Sequence, residues 1–309
     1  MNDNLKCCIC GEPAPATNIM GRRAYCDRHW AQVNKHHIGF WRAGILQIVL
    51  MGVFSAVVAV IANNLRDLNQ VTLISVGLLL ALVPTALWFY YFYSQDRLEP
   101  EPKTKLSGVF ILALLMTDVA GRWLLDALFQ IRVWSPTNSV VSLLASILII
   151  GFTYEGIKYA AVRGLVYATD EFDERMDGLV YGTTAGLGVA TLLNFHHILD
   201  NQGVALAPGV IHVVTTALAQ ASFGGLTGYF MAQAKFEHRP AWWVPAGLSL
   251  AAVLNGLFSW LIEEVSANGL EVDPWRSLIF GLIVALGTFL VLIALMRRAT
   301  ALTLEATTN

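Results

Sequence analysis

The sequence predicts an all-α integral membrane protein of about eight transmembrane helices, both termini cytoplasmic, with a small zinc-ribbon-like module at its N-terminus. Three observations predict this. The composition is too apolar for a water-facing surface, basic residues fall on one set of alternate loops, and all four cysteines lie within the first 26 residues. Hydrophobic residues make up 56% of the 309 and charged residues 14%, with mean hydropathy +0.57. A soluble domain carries about 25% charged residues. The net charge of -2 argues against a nucleic-acid partner.

A hydrocarbon core about 30 Å thick takes about 20 apolar residues at about 1.5 Å each. Such stretches fall at 43–62, 73–93, 106–129, 140–162, 178–199, 208–234, 241–262 and 276–296. The polar, cysteine-bearing residues 1–42 do not resemble a cleavable signal, so the first span is expected to be an uncleaved anchor. Fifteen Lys and Arg residues lie in the N-terminal segment, alternate loops and tail. Only Arg66, Arg132 and Arg276 lie in the opposite loops. By the positive-inside rule this places both ends inside, at the plasma membrane. The expected domains are a module at 1–36, a bundle at 37–299 and a cytoplasmic tail at 300–309.

The cysteines read as Cys7-Cys8-x-Cys10 and Cys26-x-x-His29. Two ligand pairs, each on a tight turn and separated by a short loop, fit a tetrahedral zinc site. The expected ligands are Cys7, Cys10, Cys26 and His29, with Cys8 as an alternate for Cys7. A cytosolic location disfavours disulfides. Four protein ligands leave no open position, so the zinc is structural and supports a docking module. Trp30, Phe40 and Trp41 suit an interfacial connector to the first span.

Ionisable groups at membrane depth are functional candidates. Asp118, Arg122 and Asp126 share one helical face and read as an ion-pair ladder toward the bundle. Glu155 and Lys158 lie one turn apart, as a structural pair or with Glu155 as a ligand or base. His196, His197 and His212 flank one short outer connection, where a second metal site is conceivable. Gly182, Gly186, Gly188, Gly224 and Gly228 allow close helix contact. The acidic stretch with Glu263, Glu264, Glu271 and Asp273 is a candidate surface for a basic partner.

Several ordered segments then resemble the PrsW family of intramembrane metalloproteases, over roughly residues 84–262. Asp96-Arg97-Leu98-Glu99-Pro100-Glu101-Pro102 is similar to the family's Asp-Arg-x-x-Pro-Glu-Pro entry to a span. Tyr154-Glu155-Gly156-Ile157-Lys158 stands where the family shows Glu-Glu-x-x-Lys. Asp177-Gly178-Leu179-Val180-Tyr181-Gly182 matches a family signature, and Gly228-Tyr229-Phe230 a later one.

The departures fall on the chemistry that the resemblance implies. Tyr154 replaces the first glutamate of the pair, and Leu193 a glutamate expected before Asn194. Gln220 and Asn255 stand at histidine positions, and Ser259 at an acidic one. Glu155 and Lys158 are remnants of the motif. A catalytic zinc takes about three N, O or S protein ligands and a water, which these replacements do not supply. The resemblance therefore implies a scaffold without proteolytic activity, acting as a binding, regulatory or complex-assembly component among lipids and other membrane proteins. The alternatives are an active metalloprotease with a non-standard metal site and a transporter.

Overall fold

The computed structural model describes residues 5–20, 23–34, 39–62, 69–200, 206–237, 239–267 and 274–305. The N-terminal module starts with a tight turn, in which Cys7 donates its N–H to Glu12 and accepts from Gly11. Gly11 adopts φ 72°, a left-handed conformation that glycine takes without Cβ strain. A two-stranded hairpin follows, β1 (Ile19–Met20) and β2 (Arg23–Ala24), and then helix α1 (Asp27–Val33).

Long helices make up the rest. They are α2 (Phe40–Ala62), α3 (Gln70–Gln95), α4 (Lys103–Leu128), α5 (Ser139–Leu165), α6 (Arg175–Asp200), α7 (Leu206–Phe236), α8 (Trp243–Ala267) and α9 (Pro274–Glu305). Among the described residues, seven of them are long and apolar enough to cross a membrane. The exception is α6, the predicted fifth span. It has the length, at 26 residues, but is diluted by glycine, threonine and Asn194. That polarity reflects position: every residue from Met176 to Ala190 is buried by other helices. A helix shielded by protein needs small surfaces more than apolar ones.

Helices α6 and α7 form the most extensive contact and the centre of the bundle. Gly178, Gly182 and Gly186 face Gly228, Gly224 and the backbone of Gln220 in turn. A Cβ built on Gly228 meets the Gly178 carbonyl at clashing distance. Gly228→Val should therefore force the pair apart at a cost of about 1–3 kcal/mol or more. A lowered unfolding midpoint in detergent checks this, and an unchanged one would refute the close approach. Helices α3 and α4 pack on α6, while α2, α8 and α9 pack on α7, and α5 lies against α4 and α8. Trp88 of α3 meets Phe289 of α9 edge to face at 5.0 Å.

Two sequence expectations change. Helix α4 turns π-helical at Thr117–Gly121 and Trp123–Leu128. The wider turn breaks the i, i+4 register of the expected ladder. Arg122 still pairs with Asp118 at 3.3 Å, but Asp126 pairs with Arg132 at 3.4 Å, and all four side chains are at least 41% exposed. The tail expected from residue 300 begins as helix, because α9 continues to Glu305 with Ala299 and Thr303 buried. Glu271 and Asp273, and the side chains of Glu263 and Glu264, lie outside the described residues.

Candidate functional site

The intramembrane centre is built by α5, α7 and α8. Glu155 and Lys158 lie one turn apart on α5, and their side chains are 0% and 1% exposed. Lys158 Nζ lies 2.5 Å from Glu155 Oε1. Asn255 Nδ2 donates to the same oxygen at 2.8 Å, and Thr227 Oγ1 donates to Glu155 Oε2 at 2.9 Å. Gln220 Nε2 donates to Asn255 Oδ1 at 2.9 Å, closing the network. The resemblance had singled out Glu155, Lys158, Gln220 and Asn255, and the fold brings all four together. Thr227 is the member that sequence reasoning missed, as a lone threonine carries no signal until its helix phase is known.

This donor set does not fit a catalytic metal. Both oxygens of its single carboxylate are engaged by donors, an ammonium lies against one of them, and two neutral amides fill the remaining space. None of the other replaced positions is hydrogen-bonded to Glu155 among the contacts described. Tyr154 packs beside Gly121 and the Leu125–Ile150 cluster, Leu193 joins the main core, and Ser259 is half-buried.

The outer histidines do come close. His197 and His212 stack face to face, with ring centroids 3.8 Å apart and planes at 11°. Imidazole lone pairs lie in the ring plane, so stacked rings do not aim them at one point. His196 turns to α4, with Nε2 3.8 Å from Asp118 Oδ1. The expected second metal site is thus not assembled. Among the described residues, a single group of metal-ligating side chains converges, and it is elsewhere.

That group is Cys7, Cys10, Cys26 and His29, whose ligand atoms all lie within 4.8 Å of one another. The turn carries Cys7 and Cys10, Cys26 caps the N-terminus of α1, and His29 sits in its first turn. Cys26 Sγ lies 3.2 Å from His29 Nδ1, Cys7 Sγ 3.4 Å from the same nitrogen, and Cys10 Sγ 3.7 Å from Cys26 Sγ. A tetrahedron with arms of about 2.0–2.3 Å has edges of about 3.3–3.8 Å, so the residues fit a zinc ion. Burial opposes a thiolate at Cys7, but backbone N–H donors at Cys26, Cys10 and Ile9 and the His29 ring bring its pKa down to about 6. The Cys8 thiol is pushed up to about 12 by burial and nearby negative charge. Cys8 packs instead in a small core with Tyr25, Val33 and Leu98, so it does not serve as the alternate ligand.

The module is docked on the bundle, a contact that sequence reasoning missed. Arg23 reaches Glu99 at 2.7 Å, Glu174 at 2.5 Å and Asp173 at 2.8 Å. Tyr25 donates its hydroxyl to the Leu98 carbonyl at 2.9 Å. The receiving loops are the Asp96–Pro102 segment that carried the family resemblance and the Phe172–Glu174 segment just ahead of the Asp177–Gly182 signature. Beneath them Asp177 Oδ2 accepts the N–H groups of Asp173 and Glu174 at 2.7 and 2.6 Å, capping α6. Tyr181 donates to Glu101. Burial pushes the carboxyls of Glu101 and Glu174 up to about 7.

Docking should therefore weaken as pH rises. A free glutamate ionises near 4.5, whereas these two hold protons up to about 7 when docked. The part of this that docking governs is that of Glu174, which faces Arg23 of the module; it is complete at the lower value and is lost as pH rises through the upper, on the order of 3 kcal/mol. Release of the N-terminal segment by limited proteolysis, with zinc in excess, should be faster at pH 8 than at pH 5.5. Arg23→Gln should make release fast at both, because Arg23 then no longer ties the module to Glu99 and Asp173. A pH-independent rate would overturn this account.

These features define the class: a polytopic all-α membrane protein with a polar centre between helices and a metal-ligand module docked on one end. The family model described as "PrsW family intramembrane metalloprotease" matches residues 101–296, and the chain belongs to that family. The chain is similar to Protease PrsW of Geobacillus kaustophilus (strain HTA426), 31% identical over 62% of this chain and 80% of that protein. It is also similar to the Bacillus subtilis (strain 168) protein, 27% identical over 60% and 82%, and to the Clostridioides difficile (strain 630) protein, 23% identical over 60% and 78%. No solved structure matches.

Proposed function

We propose that this chain is a PrsW-family membrane protein without proteolytic activity, serving as a binding, regulatory or complex-assembly component. The observation that carries this reading is the closed network around Glu155, in which an ammonium, two amides and a hydroxyl occupy the centre. The protein crosses the plasma membrane eight times, α6 being the eighth helix, with both termini cytoplasmic. Support comes from the basic-residue bias and from the module, which rests on two loops that the bias assigns to the inside. Residues 1–36 form a module around one structural zinc, and its partners are other membrane proteins. A second reading, an active metalloprotease, is favoured by the name that the relatives carry.

Metal content separates the two. The purified full chain should hold about one zinc, lost on Cys26→Ser, because four module ligands complete one tetrahedron. A second zinc retained by that variant would favour the protease. So would cleavage of a membrane-anchored reporter that Glu155→Gln abolishes.

A further inference from the structure

A groove with a volume of about 520 Å³ opens between α5, α7 and α8, running from Phe152, beside the polar centre, toward the module end. Its size is within the range of small-molecule sites, about 300–1,000 Å³. Phe152, Tyr159 and Arg163 line it from α5, Met231 from α7, and Val244 and Leu248 from α8. The lining is apolar at one end and cationic at the other.

Depth along the membrane sets what the groove can hold. From Phe152 to Arg163, α5 advances eleven residues, about 16 Å. That is close to half of a hydrocarbon core about 30 Å thick, the depth of one leaflet. Tryptophans mark the headgroup level at the mouth: Trp242 is 61% exposed, and Trp243 is pinned by a bond from Nε1 to Gln233 at 3.0 Å. The Arg163 guanidinium lies there over the Tyr167 ring, 4.4 Å from its centroid. No acidic side chain among the described residues pairs with Arg163. The nearby cation Lys235 is committed to the carbonyls of Tyr167 and Phe172, at 2.8 and 2.6 Å. A preoriented, unpaired guanidinium at headgroup depth above a one-leaflet apolar slot matches a phosphodiester with an acyl chain beneath it. A transmembrane peptide would need the full thickness.

We propose that this groove binds one anionic phospholipid from the module-side leaflet, its phosphate on Arg163 and one chain running along α5 to Phe152. The site is independent of whether the Glu155 centre is active.

The test uses the full-length protein equilibrated with vesicles of equimolar phosphatidylglycerol and phosphatidylcholine, then purified and assayed for bound lipid. About one phosphatidylglycerol per chain is expected, with retention falling at least about tenfold in Arg163→Gln, as loss of a charge-assisted bond predicts. Arg163→Lys should keep part of it, and Leu248→Trp, which fills the slot and leaves the charge, should also expel the lipid. Arg163 is at the exposed end of α5, so its variants should remain folded. Equal retention of the two lipids, or retention unchanged in Arg163→Gln, would overturn the proposal. Displacement by inorganic phosphate would reduce the site to a free-anion site and overturn it too, as would displacement by a transmembrane peptide.

Discussion

Lys158→Met should destabilise the bundle by about 3–5 kcal/mol, the cost of stranding a buried charge by removing its partner. The variant leaves the Glu155 carboxylate fully buried with only the Asn255 amide and the Thr227 hydroxyl as donors. The double variant Glu155→Gln/Lys158→Met should recover most of the loss, since a neutral glutamine can still engage Asn255 and Thr227. Unfolding midpoints of the two single variants and the double form a cycle that isolates the pair. Additive losses would show that the pair is not the unit holding the centre closed.

Cys26→Ser should abolish metal binding and unfold residues 5–34 while leaving the helices intact. Structural zinc in small modules contributes about 10–16 kcal/mol of apparent binding energy, more than a two-stranded hairpin and a seven-residue helix supply by themselves. Cys26 sits beside His29, its Sγ 3.2 Å from Nδ1, so its loss also removes a neighbour that holds the His29 ring. Cys8→Ser should keep the metal, since that thiol packs against Tyr25 rather than facing the other ligands. Zinc content with protease sensitivity of the N-terminal segment checks both variants. Metal retained in Cys26→Ser, or lost in Cys8→Ser, would mean that the ligand set is wrongly assigned.

Composition and charge bias made the helical membrane class legible, because an apolar stretch of about 20 residues has few other uses. The convergence of Cys7, Cys10, Cys26 and His29 was legible because it arises from short spacings that local turns fix. The centre was legible only through the resemblance, which named Gln220 and Asn255. Their mutual hydrogen bond depends on how α7 and α8 are rotated, a tertiary fact. Two features escaped for related reasons. The π-helical turns of α4 have no periodic signature, so Asp126 was assigned to Arg122 instead of Arg132. The anchoring of Arg23 to Glu99 and Glu174 joins residues 76 and 151 positions apart, beyond the reach of any local pattern.

That last contact imposes an order on assembly. The four side chains able to hold a metal are complete as soon as Cys26 and His29 are made, yet half of the module's seat, the loop with Asp173 and Glu174, does not exist until another 151 residues have followed Arg23. At about 5–20 residues per second, synthesis leaves the finished module waiting about 8–30 s for its seat. Its seating therefore reports that the intervening four long helices have been laid down and their connecting loops have met.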